Sequence, residues 1–289
     1  MIIVRIKCGL GNQLFQYAAA RALAAKLDQA LYADIRWFQE DNRKRITRDK
    51  RCYLLPELGC ALPLASPSEV DAFYPKWWTR WTGRPLPPGI LLLQENGETL
   101  LEEFHRVDGP VCLDGYWQGE AYFEAAKTVL ATHLLGLRPR AFADAWLGDL
   151  KVPGTAAVHV RRGDYANSKS LHSFFARLDF TYYSRALDAL GAERALVFSD
   201  DIPWCRAHFQ VGRPLAFVDP PPNCDSSMDQ LLCLGFAKKL VIANSTFSWW
   251  AGWLAAQRSA RVIGPARWFL DPRYAKWEEL LKTPHCTWI

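Results

Sequence analysis

The sequence predicts an α/β protein built from two parallel-sheet units facing each other across a cleft. Three observations predict this. The second half alternates short apolar, β-branched runs with helical patterns, as a parallel sheet requires. The first half opens strand, glycine turn, helix. At 289 residues and 50% hydrophobic content, the chain can bury one large core or two smaller ones.

Taken in order, residues 2–6 (Ile-Ile-Val-Arg-Ile) form the first strand. Gly9-Leu10-Gly11-Asn12-Gln13 turns it into a helix whose Leu14, Ala18, Ala22 and Ala25 share a face. Leu31-Tyr32-Ala33 is the second strand. Residues 56–88 are irregular, with two proline-rich stretches around Trp77-Trp78-Thr79-Arg80-Trp81. A strand over 111–113 leads through Asp114-Gly115-Tyr116-Trp117-Gln118 into a helix over 120–134. Residues 136–154 read as an interdomain stretch, which sets the units at 1–150 and 151–289. Strands then fall at 155–160, 195–199, 214–218, 239–243 and 261–264. Residues 268–289 are expected to pack back onto the first unit.

Charge narrows the function. Of 35 Lys+Arg and 30 Asp+Glu, residues 1–150 hold 18 of each, so the whole excess of +5 lies in 151–289. That suits a localised anionic ligand better than a nucleic acid, which needs a broad basic face. The basic run from Arg43 to Arg51 reads as a solvated loop. Eight cysteines without a C-x-x-C pair, and no leader or span pattern, point to reduced thiols and a cytosolic protein. Peripheral membrane association stays open.

The sharpest feature is Ala157-Val158-His159-Val160-Arg161-Arg162-Gly163-Asp164-Tyr165. A buried strand cannot turn both Arg161 and Arg162 into its core, because isolated buried guanidinium groups are very costly. The pair therefore meets an anion or water where the strand stops, and ligands of open α/β sheets sit at such carboxyl ends. Two planar, permanently charged forks suit a diphosphate. His159 shares a strand face with Arg161, with a structural role as its alternative. Asp164 is the candidate general base, or else a salt-bridge partner that orients Arg162.

Three other segments join strand ends to helices. Gly9 and Gly11 let the backbone approach a ligand at a helix N-terminus, unless they serve only a tight turn. Leu14 stands where a dinucleotide fingerprint needs a third glycine, which argues against a nicotinamide enzyme. Asp200 and Asp201 exceed what helix capping needs, and a free carboxylate there can bind a base edge or ribose hydroxyls. Ser245 and Thr246 can hold phosphate oxygens, or Asn244 and Ser245 can simply cap the helix, with Trp249, Trp250 and Trp253 as core. No D-x-D pattern or metal-cage spacing occurs, so arginines rather than a metal are expected to neutralise the diphosphate.

Together these segments resemble the galactoside α-1,2-fucosyltransferases, glycosyltransferase family 11, in their short bacterial form. Gly9 to Ala18, His159 to Tyr165, Phe198-Ser199-Asp200-Asp201 and Asn244 to Trp250 carry the resemblance in the family's order, with support from Gly115 to Gln118 and Tyr122-Phe123. It implies a GT-B-type fold of two Rossmann-like units, the acceptor on the first and GDP-fucose mainly on the second. It implies nucleotide and pyrophosphate contacts from His159, Arg161 and Arg162. Asp200 and Asp201 would lie near guanine or ribose, with Asn244, Ser245 and Thr246 near phosphate. The Gly9–Gln13 loop, with Asn12, would close over the donor. No cofactor or metal is implied; GDP-fucose is a substrate, and the partner is a galactose-terminated oligosaccharide. Transfer in another linkage, α-1,6, shares the donor motifs. A non-catalytic carbohydrate- or nucleotide-binding module, suggested by 13 tryptophans, leaves the arginine pair unexplained.

Overall fold

The computed structural model describes residues 1–39, 51–74, 91–95, 101–162 and 174–289. The chain divides into two α/β units, Met1–Leu130 and Ala131–Ile289. Each is built on its own sheet, and every strand pair in both is parallel. Two α/β units, each on a parallel sheet, are the construction expected.

The first sheet has strands β1 (Ile2–Arg5), β2 (Leu31–Asp34), β3 (Leu91–Gln94) and β4 (Val111–Asp114), in the order β2-β1-β4-β3. Ile2, Ile3 and Val4 are fully buried, as a strand covered on both faces requires. Strand β3 lies beside the irregular stretch and carries no expected strand signal. The helix Leu10–Leu27 buries Leu14, Phe15, Ala18, Ala19, Ala22 and Leu23. Its buried face is therefore wider than the expected stripe, and Ala25 lies outside it.

The second sheet has β5 (Thr155–Val160), β6 (Arg194–Ser199), β7 (Leu215–Phe217), β8 (Lys239–Val241), β9 (Arg261–Gly264) and β10 (Cys286–Trp288). Their order is β10-β9-β8-β5-β6-β7. All six residues of β5 are buried, which explains its unbroken apolar run. No helix among the described residues is long and apolar enough to cross a membrane.

Two expectations about organisation need correction. The division falls inside the helix Lys127–Gly136, not near 150. The supposed interdomain stretch is folded onto the second unit, because Trp146 packs edge-on against Phe198 and Arg140 binds the fully buried Asp229. The final segment likewise packs on the second unit, not the first. Strand β10 pairs with β9, and the Trp249 indole N–H donates to Leu281 O at 2.6 Å. Gly264 makes this possible, since a Cβ there would lie 2.6 Å from the Trp288 ring.

Candidate functional site

Strand β5 is where the second sheet reverses. From it the chain steps to β6 and β7 on one side, then returns to β8, β9 and β10 on the other. Such a reversal opens a crevice beyond the carboxyl ends of the central strands, the usual ligand position in open α/β sheets. Arg161 and Arg162 leave β5 at this point, and Asn244 to Thr246 leave β8 beside it.

The neighbouring end of β6 supplies the counter-charges. Arg161 Nη1 lies 2.5 Å from Asp200 Oδ2, and Arg162 N–H donates to Asp200 Oδ1 at 2.9 Å. Asp201 caps the helix Ile202–His208, accepting from Trp204 N–H at 3.2 Å, and turns its other oxygen to Arg162 Nε at 3.5 Å. At that distance the Nε pair is electrostatic, and Nε lacks a true hydrogen bond. The Arg162 guanidinium also lies 3.5 Å above the Trp204 ring. Its terminal amino groups have no partner among the described residues. Both pairs are partly exposed, so each contributes only about 0–1 kcal/mol and mainly orients the arginine. The aspartates thus serve the arginines and the helix start. The capping alternative holds for Asp201.

On the β8 side, Ser245 begins the helix Thr246–Gln257 without a side-chain cap, so capping is not its role there. The first-turn N–H groups carry the positive end of the helix dipole. Asn244 is engaged differently: its side-chain amide donates to Ala176 O at 2.7 Å and Trp268 O at 3.3 Å, tethering two loops. Trp249, Trp250 and Trp253 are core, as expected. His159 is 4% exposed, and its Nδ1 lies 2.9 Å from the hydroxyl of the fully buried Ser248. Burial pushes the imidazole pKa down to about 4; Arg161 acts in the same direction and Asp200 opposes. The ring is therefore neutral at physiological pH.

In the first unit the β1 loop is held from within. Gln13 is fully buried and its amide is used up on backbone: it donates to Cys8 O at 2.9 Å and Cys52 O at 2.8 Å and accepts from Leu54 N–H at 2.9 Å. Asn12 Oδ1 accepts from Gln118 Nε2 at 2.9 Å. The left-handed residue of the turn is Cys8, at φ 68°, and not a glycine. Gly9 has φ −78° and begins the helix, while Gly11 lies buried in its first turn.

The sequence that builds the second sheet matches a known family. The profile of Glycosyl transferase family 11 matches residues 116–288, more than half of the chain. The chain belongs to glycosyltransferase family 11. Within this family-11 match lie both arginines, the two aspartates and the whole second sheet. Among curated relatives, the O-antigen biosynthesis glycosyltransferase WbnK of Escherichia coli is 28% identical over 93% of this chain and 95% of its own length. An alpha-1,2-colitosyltransferase of Escherichia coli is 26% identical over 98% and 99%. The galactoside 2-alpha-L-fucosyltransferase SEC1 of Bos taurus is 26% identical over 87% of this chain and 64% of that protein. Among solved structures, NodZ alpha-1,6-fucosyltransferase soaked with GDP-fucose gives a TM-score of 0.49 at 14% identity, covering 88% and 92% of the two chains.

The family-11 chain also holds polar residues that motif reading missed. At the order reversal of the first sheet, Asp114 accepts from Lys7 Nζ at 2.7 Å, Tyr74 Oη at 3.3 Å, and Arg5 and Gln94 at 3.4 Å. Burial alone would raise the Asp114 carboxyl pKa, but Lys7 and Arg5 outweigh it and hold it below its ordinary value. Glu95 is pushed above its ordinary value by burial, despite accepting the N–H groups of Tyr116 and Trp117. The signal available was positional: Lys7 and Asp114 stand at the ends of two adjacent parallel strands. Asp164 and most of the basic run, Arg43 to Lys50, lie outside the described residues, as do Trp77, Trp78 and Trp81.

Proposed function

We propose that this glycosyltransferase moves L-fucose from GDP-β-L-fucose to the 2-hydroxyl of a terminal galactoside, with inversion, in the synthesis of a bacterial surface glycan. The observation that carries the reading is the pair Arg161 and Arg162 at the order reversal of the second sheet, oriented by Asp200, Asp201 and Trp204. The galactoside 2-alpha-L-fucosyltransferase relative supports the sugar and the linkage, and the O-antigen biosynthesis relative WbnK supports the surface glycan.

The chemistry follows from where charge develops. As the bond between the sugar's C1 and the β-phosphate oxygen breaks, the nucleotide gains negative charge and the sugar becomes oxocarbenium-like. The acceptor oxygen attacks C1 from the opposite face. Guanidinium N–H groups and the first-turn N–H groups after Ser245 stabilise the departing diphosphate where its charge appears. Two permanent cations supply the charge, so turnover needs no divalent ion. Asp164 takes the acceptor's proton. The first unit holds the acceptor and the second the nucleotide.

A second reading keeps the linkage and changes the sugar. The alpha-1,2-colitosyltransferase relative matches nearly the whole chain, which supports a colitosyl nucleotide as the donor in this reading. Incubation with GDP-fucose or GDP-colitose and a panel of galactosides, with EDTA present, tests both. Product mass identifies the sugar and linkage analysis the hydroxyl. A product joined anywhere but the 2-hydroxyl, or complete loss of turnover in EDTA, overturns the proposal.

A further inference from the structure

We propose that Ser248 is a positioning residue that fixes His159 as its Nε2–H tautomer, so that the end of β5 offers a hydrogen-bond donor to an acceptor atom of the nucleotide. The inference rests on the reading above that a nucleotide binds at this strand end.

A single proton decides the tautomer. Ala243 N–H donates to Ser248 Oγ at 2.9 Å, so the serine oxygen is already an acceptor. The hydroxyl has a single proton to give. A serine inside a helix often gives it to the carbonyl four residues earlier, but no such bond forms among the described residues. His159 Nδ1, at 2.9 Å, is the acceptor that remains. A ring nitrogen that accepts carries no proton, so in a neutral imidazole the proton sits on Nε2.

Water does not disturb this arrangement. Ser248 is 0% exposed and His159 4%. The same burial keeps the ring neutral, with Arg161 acting alike and Asp200 opposing, so the doubly protonated form does not intervene at physiological pH. Phe247 packs against the ring at 5.2 Å and limits its rotation. Nε2 has no partner among the described residues. It is not one of the fully buried unpaired atoms, so this N–H keeps some exposure and an acceptor on the ligand can reach it. His159 lies two residues before Arg161, which puts this donor on the arginine's side of the strand. Ser248 itself touches no substrate in this scheme; it acts only through His159.

Nitrogen NMR on the full chain with ring-15N-labelled histidine reads the tautomer directly. The protein has six histidines, and His159→Gln assigns the signal by its disappearance. The wild type is expected to show a pyridine-type Nδ1 and a pyrrole-type Nε2 at His159. In Ser248→Ala the two shifts should converge through exchange between tautomers, and Ser248→Thr should restore them. Calorimetric titration with GDP should show binding about tenfold weaker in Ser248→Ala and within about twofold of wild type in Ser248→Thr, the size expected for one hydrogen bond. The wild-type spectrum needs no variant, so misfolding of a mutant leaves the test intact. A pyrrole-type Nδ1 in the wild type, or an unchanged spectrum in folded Ser248→Ala, overturns the tautomer assignment. A shifted tautomer with unchanged GDP affinity overturns the role toward the nucleotide. Failure of the wild type to bind GDP refutes the donor-site reading itself while the tautomer spectrum still stands.

Discussion

The guanidinium of Arg162 lies 3.5 Å above the indole ring of Trp204, with Asp200 holding the same residue's backbone N–H. Side chain and main chain of one arginine are thus fixed from two directions. Trp204→Ala removes the platform but neither charge. A cation–π contact of this kind is worth about 0.5–2 kcal/mol, so kcat/KM for the donor should fall about 3- to 30-fold. Trp204→Phe keeps an aromatic face and should lose about threefold or less. Steady-state kinetics with varied donor measure both.

Removal of either arginine should be far more severe. Deleting one preorganised donor to a developing anion typically costs about 10²–10³ in rate. Arg161→Ala and Arg162→Ala should each lose at least that much turnover while keeping a wild-type circular dichroism spectrum. Near-normal turnover in both would remove the basis of the donor assignment.

Arg140 gives a stability test away from the site. Its backbone N–H, Nε and Nη2 reach the fully buried Asp229 at 2.7, 3.0 and 2.6 Å. Arg140→Ala leaves that carboxylate buried without its cation, which costs about 3–5 kcal/mol. Urea unfolding should show the loss. Arg140→Met combined with Asp229→Leu should recover most of it.

The neutral His159 makes stability depend on pH with a definite sign. Its pKa is about 4 in the folded protein, through burial first, against about 6.5 in an unfolded chain. The unfolded state therefore binds the extra proton, and its contribution is fully present above about pH 6.5 and is lost as pH falls toward 4. Unfolding free energy should decline across that window by at most about 1.4 kcal/mol per pH unit from this group. His159→Gln should flatten the slope there, as read from denaturant melts at pH 7, 6, 5 and 4.5.

How much was legible can be seen residue by residue. Strand β5 was readable because burial on both faces leaves an unbroken apolar run, and the arginine pair could then only be at its end. The pairing of Arg161 with Asp200 was not readable: it joins two strand ends nearly forty residues apart through a register that only the sheet sets. Strand β3 was invisible because four residues beside a proline-rich stretch carry too little pattern. Gln13 and Asn244 look like ligand groups in a motif, yet both satisfy backbone groups of loops that no local pattern brings to them. The reach of Arg140 to Asp229 drew residues 131–150 into the second unit for the same reason.

The position of β5 between β6 and β8 has a kinetic consequence. Strand β8 follows β5 by about 80 residues, so one edge of the central strand stays unpaired until most of the second unit has been synthesised. His159 and Ser248 are separated by a similar length of chain and can meet only after that closure. Recovery of GDP binding after dilution from denaturant should accordingly lag behind the return of helical signal.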